Sequence, residues 1–152
     1  MKKLSIVFLL MLAVFIQVSC VATYHIMSPD EQKLIITRES TFNKDALFDK
    51  IIEYLSINFN KANEAIQLKD KENGKIIAKG SIDYKVQGNL VAVLVNCRFT
   101  LIIDVKDSKY RATFTNLEFY KTDGTKGNPV ESVVIRAHET FTNLVDDIDM
   151  FT

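Results

Sequence analysis

Two periods of apolar and polar positions run along this chain. Leu34-Ile35-Ile36-Thr37-Arg38 is short and rich in β-branched residues, and it predicts a first strand. Leu47, Phe48, Ile51, Ile52, Leu55 and Phe59 then recur at helical spacing, with Asp45, Asp49, Lys50 and Glu53 facing away. Asn43 stands where an N-cap belongs, and Asn58, Asn60 and Asn63 close a helix of about four turns.

From residue 65 the period becomes two. Ala65-Ile66-Gln67-Leu68-Lys69 and Ile76-Ile77-Ala78-Lys79-Gly80 flank Asp70 to Lys75, and the Asn73-Gly74 pair between them predicts a hairpin with a type I′ turn, which needs positive φ at both central residues. Ile76, Ala78, Gly80, Ile82, Tyr84 and Val86 take one face of the second hairpin strand, and Lys79, Ser81, Asp83 and Lys85 the other. Gly88-Asn89 predicts another turn, and Leu90 to Val95 is nearly all apolar. Cys97, Phe99, Leu101, Ile103 and Val105 then point inward, with Arg98, Thr100 and Asp104 outward. After a turn at Asp107-Ser108, Tyr110, Ala112 and Phe114 alternate with Arg111, Thr113 and Thr115. The parity then shifts to Leu117 and Phe119, which predicts a bulge near Thr115-Asn116.

A polar loop opens at Asp123-Gly124, and Asn128-Pro129-Val130-Glu131 predicts a helix start, with Asn at the cap, Pro at the first helical position and Glu three residues after the cap. Val130, Val133, Val134, Ala137, Phe141, Leu144, Val145 and Ile148 form the stripe of a long final helix. The order β-α-β-β-β-β-α, with hairpin-length links, predicts an α+β fold. Its antiparallel sheet of about five strands is covered on one face by two helices. The other face, bearing Lys79, Asp83, Arg98, Thr100, Arg111 and Thr113, is expected to meet solvent or a partner.

The N-terminus departs from both periods. Met1-Lys2-Lys3 is basic, and an unbroken apolar run from Ile6 stops at Ile16. That length suits a signal-peptide core of roughly 7–15 residues and falls short of the ~20 needed to cross a bilayer. Gln17-Val18-Ser19-Cys20 follows, and it resembles the lipobox of bacterial lipoproteins. The resemblance implies a signal over residues 1–19, acylation of Cys20, a tether over 20–32 and one domain over 33–152. An ordinary secretory signal cut at Cys20-Val21-Ala22, a small-x-small site, is the alternative. Residues 21–32 show no sustained period and contain Pro29, in keeping with a tether. Neither the Asp of inner-membrane retention nor an acidic surface-export cluster follows Cys20, so the resemblance implies an outer-membrane lipoprotein of the cell envelope facing the periplasm.

This leader changes how the composition reads. The 152 residues hold 19 basic and 19 acidic side chains. Lys2 and Lys3 leave with the signal, so the mature chain keeps 133 residues (152 less 19) and 17 basic side chains against 19 acidic, formally −2. An exported, mildly acidic chain is an unsuitable nucleic-acid partner. Apolar content of 47% excludes a disordered chain. Two Cys are too few for a disulfide scaffold or a structural zinc site.

The helix ending near Asn58-Phe59 and the hairpin from Ile66 to Gly80 resemble a domain of unknown function with a TBP-like fold, common in envelope proteins of Bacteroidetes-type bacteria. The resemblance spans roughly residues 34–145, and Tyr54 stands near where that family often carries a Trp. It implies a curved antiparallel sheet backed by helices. It implies no activity, and the TATA-binding name describes topology alone.

Candidate chemistry is sparse. Cys97 sits in a strongly apolar strand, where a free thiol behaves as a small hydrophobe. His138 borders the final helix's stripe as a partly buried structural residue, and no cysteine-protease context surrounds either. Asp146-Asp147-Ile148-Asp149 has the wrong sign for a helix C-terminus and is expected to fray, and Asp123-Gly124-Thr125-Lys126-Gly127 lacks Walker spacing. No cofactor, metal or catalytic residue is expected. The expected role is a non-catalytic envelope binding or assembly module, anchored through lipid on Cys20, with an envelope protein, peptide or glycan as partner. A carrier of a small apolar ligand, or a small hydrolase or inhibitor, is the alternative.

Overall fold

The computed structural model describes residues 25–59, 65–87 and 92–152. In chain order the elements are β1 (Leu34–Glu39), α1 (Lys44–Asn58), β2 (Ile66–Asp70), β3 (Lys75–Gln87), β4 (Ala92–Lys106), β5 (Lys109–Lys121) and α2 (Glu131–Phe151). The strands form one antiparallel sheet in the order β1-β5-β4-β3-β2. This is the expected α+β arrangement, with one face of the sheet buried beneath the helices.

Alternation decides which side chains that face receives. Ile76, Ala78 and Tyr84 of β3, Val95 to Val105 at every second position of β4, and Tyr110, Ala112 and Phe114 of β5 are all buried. Leu47, Ile51 and Leu55 of α1 and Val134, Ala137, Phe141, Val145 and Ile148 of α2 meet them at full burial. At the centre Phe114 and Phe141 stack at 4.3 Å between ring centroids, and Phe99 meets Phe141 edge-on at 4.9 Å. Gly80 lets the rings of Phe59 and Phe99 lie against the strand, since a Cβ there would come within 2.7 Å of both. The bulge falls at the expected place. Arg98 pairs with Glu118 and Thr100 with Thr115, so two steps on β4 match three on β5, and Asn116 takes φ 53°.

Asn43 caps α1 as its sequence predicts, its side-chain oxygen accepting from the Ala46 N–H at 2.9 Å. The start of α2 differs from expectation. Val130, not Asn128, is the N-cap residue, and no side chain caps it. Asn128 to Val130 are instead held by a tight turn and by the incoming chain. The Val130 N–H donates to the Asn128 carbonyl and the Met27 N–H to the Pro129 carbonyl, each at 2.9 Å, and Ile26 bridges to Val130. Pro129 therefore ends an extended stretch rather than opening the helix.

The same contacts restrict the stretch from residue 25 to 32, which the pattern assigns to a tether. Gln32 is buried, donates from Nε2 to the Met27 carbonyl at 2.7 Å, and offers its own carbonyl to His138 Nε2 at 2.8 Å. The hairpin turn also differs. Only Gly74 (φ 65°) has positive φ there, because Asp70 closes a four-residue loop by accepting from the Asn73 N–H at 3.0 Å and from Asn73 Nδ2 at 2.8 Å. These two bonds hold the Asp70 carboxyl below its ordinary pKa.

Nor does the acidic end of α2 fray. Ile148 is fully buried, the Arg38 guanidinium donates to Asp146 at 2.6 Å, and the Phe151 ring meets Tyr54 edge-on. The expected helix-closing residues Asn60 and Asn63, the expected Gly88-Asn89 turn, and Cys20 with the expected signal over residues 1–19 lie outside the described residues.

Candidate functional site: the open sheet face

Every second residue of the strands points away from the helices. Lys79, Asp83, Arg98 and Arg111 are exposed there, as their parity predicts, and Thr100 is half-buried. Thr113 is the exception at 9% exposure. Its position in the register explains why. Thr113 pairs with Ile35 on β1 and with Ile102 on β4, so two β-branched side chains enclose it.

That pairing extends across the whole sheet. Ile102 pairs with Ile77 on β3, and Ile77 with Leu68 on β2. Ile35, Thr113, Ile102, Ile77 and Leu68 thus form one transverse row on the uncovered face, and its two ends are the most exposed, Ile35 at 53% and Leu68 at 39%. Strand alternation alone could not reveal this row. Its signal is apolar residues at outward parity, which become neighbours only once the register is known.

Charged groups border the row and are largely satisfied in pairs. Arg111 donates to Asp104 at 2.8 Å on one side. Towards the other end of the strands the Arg98 guanidinium lies 4.5 Å over the Tyr120 ring, and Asn96 donates to Asp83 at 2.8 Å. Lys126 donates to Glu118 at 2.7 Å, which holds the Glu118 carboxyl below its usual range and raises the Lys126 ammonium. The predicted partner-facing residues therefore fall on one face but do not converge on a point. Lys79 and Thr100 are direct cross-strand partners, and Asp83 and Arg111 lie far apart along the strands.

The groups able to do covalent chemistry lie elsewhere. Cys97 is fully buried on the helix side, and burial pushes its thiol up to about 12. Burial likewise raises the hydroxyls of Tyr84 and Tyr110, which donate to the Val133 and Val145 carbonyls of α2. His138 is engaged with Gln32, as a structural histidine is. Among the described residues no cluster of His, Cys, Asp or Glu could hold a metal ion.

A half-open cleft of about 990 Å³ surrounds the bulge. It takes in Gly80 and Phe99 from the helix side as well as Lys79 and Thr100 from the open side, so it is a surface depression and not one enclosed chamber. Among the described residues no helix is long and apolar enough to cross a membrane.

A TBP-like sheet backed by two helices, with one face free, defines the class. The chain belongs to the family described as a domain of unknown function (DUF4468) with TBP-like fold, whose family model matches residues 36–120. Two solved structures share the fold. One is a DUF4468 family protein from Bacteroides ovatus, 12% identical with a TM-score of 0.57, covering 83% of this chain and 86% of that one. The other is a TBP-like protein from Parabacteroides distasonis, 12% identical with a TM-score of 0.58, covering 78% and 90%. No curated protein matches the chain.

Proposed function

We propose that this protein is a cell-envelope lipoprotein, anchored through Cys20 in the outer membrane and facing the periplasm, that acts as a non-catalytic binding or assembly module. The open sheet face receives the partner, an envelope protein, peptide or glycan. The observation that carries this reading is the apolar row Ile35–Thr113–Ile102–Ile77–Leu68, left uncovered between bands of paired charge. An apolar centre with a polar rim is the usual anatomy of a protein interface. At the centre of the opposite face the rings of Phe99, Phe114 and Phe141 pack against one another, so a carried ligand would be limited to the half-open cleft beside the bulge. The buried, high-pKa thiol of Cys97 and the engaged ring of His138 speak against a hydrolase.

Two measurements test the reading. Metabolic labelling with a fatty acid is expected to mark the wild type and not Cys20→Ser; an unlabelled wild type refutes the anchor. Affinity capture from intact envelopes, with the anchor retained, is expected to recover a partner that Ile102→Lys loses while remaining folded. Recovery of no partner across several growth conditions, alongside a small ligand in native mass spectrometry, refutes the module.

A further inference from the structure

The anchored end of the domain carries an apolar surface of its own. His25 is five residues beyond Cys20, and five residues span at most ~18 Å when fully extended. The next residue, Ile26, is bridged to Val130, so the start of α2 lies within a short reach of Cys20. That start lies over the end of β3, where the Tyr84 hydroxyl donates to the Val133 carbonyl at 3.0 Å. Beyond Tyr84, β3 and β4 run on together, with Lys85 opposite Leu94 and Val86 opposite Val93. Ile135 sits one helical turn before His138, whose ring holds the N-terminal segment, so both belong to the same flank of α2.

Four large apolar side chains are exposed at this end: Ile26 at 57%, Ile135 at 49%, Val93 at 42% and Leu94 at 41%. Lys85 and Lys121 frame them, paired in the sheet with Leu94 and Val95. The far end of the sheet, some 40 Å away by the rise along β3, closes in the polar turns Asp70–Lys75 and Lys106–Lys109.

We infer that this end is a membrane contact: Ile26, Val93, Leu94 and Ile135 enter the headgroup region of the bilayer that holds the Cys20 lipid. The inference rests on the anchoring proposed above. A short leash brings these side chains to the bilayer surface, and an interface that accepts apolar groups beside lysines is the surface they fit. The contact also sets the orientation. The strands stand upright, and the open face is presented sideways to the periplasm.

The chain contains no Trp, so one introduced Trp is a unique probe. Leu94→Trp and Ile135→Trp report on the proposed contact, and Leu68→Trp on the open face; all three positions are exposed. The full chain is purified from envelopes and reconstituted in vesicles of equal parts phosphatidylethanolamine and phosphatidylglycerol, with and without brominated acyl chains. Mass spectrometry reads the state of Cys20. We expect brominated lipid to quench at least one of the two contact probes by about half and to leave Leu68→Trp unchanged. Quenching of both contact probes no greater than that of Leu68→Trp, with Cys20 acylated, overturns the membrane contact alone. An unacylated Cys20 overturns the anchoring reading and the inference with it.

Discussion

Thr100 and Leu101 are neighbours on β4 and face opposite worlds. Leu101 is fully buried among the helices, whereas Thr100 reaches the open side beside Lys79. The same alternation runs along β3 and β5 and separates the sheet into two faces with different rules. The helix side is held by volume. Its aromatic rings interlock, and its buried polar atoms, the Tyr84 and Tyr110 hydroxyls, find helix carbonyls. The open side is held by pairing, of charges with charges and of one apolar row across five strands. Stability therefore concentrates on one face, and the other is the face proposed above to receive a partner.

Substitutions at the two faces are expected to differ in size. Phe141→Ala removes the ring stacked on Phe114 and edge-on to Phe99, and should cost ~3–5 kcal/mol in urea unfolding. A cost below about 1 kcal/mol would mean that the helix side is not the stabilising one. Gly74→Ala is expected to cost ~1–3 kcal/mol, because the residue has positive φ and a Cβ there would meet the Val105 carbonyl oxygen at 2.2 Å. Gly74→Asn should recover part of the conformational cost and not the clash, which separates the two causes.

A pH-dependent effect is expected from the helix side. Burial raises the Cys97 thiol from 9.0 to about 12, so the folded state keeps a proton that the unfolded chain releases. Its contribution is complete below the unfolded value near 9.0 and is lost as pH rises towards 12. Tyr84 and Tyr110, raised by the same cause, act in the same direction. The urea midpoint should fall through this range, and fall less steeply in Cys97→Val; equal slopes would acquit the thiol. The smallest effect is expected on the open side. Arg111→Gln breaks the exposed pair with Asp104 and should change stability by no more than about 0.5 kcal/mol. A larger loss would show that the charged border helps hold the fold.

Much of this division is legible in the chain. Inward parity along β3, β4 and β5, the shift at Asn116 and the Asn43 cap all follow from spacing over a few residues, and all stand in the structure. The start of α2 is not legible that way. Asn128-Pro129 has the look of a helix N-terminus, but the Pro129 carbonyl accepts from the Met27 N–H, some hundred residues earlier in the chain, and the Asn128 carbonyl from the Val130 N–H. The burial of Thr113 is hidden for the same reason, since it depends on Ile35 and Ile102 rather than on its own neighbours. Of the candidate site, the charged and threonine positions were readable, and the apolar row was not.

What the sequence determined by itself is local: element order, the face each strand residue takes, the Asn43 cap, and the place of the hairpin by which the family is recognised. Periods of two and of 3.6 are properties of a few consecutive residues, so they survive without knowledge of the fold. Tertiary structure decided the rest. It placed β1 beside β5 at one edge, aligned five side chains into a row across the open face, and bound the chain around Ile26 to the start of α2. Those are matters of register and long-range pairing, where the partner lies far along the chain and only the folded backbone brings it within reach.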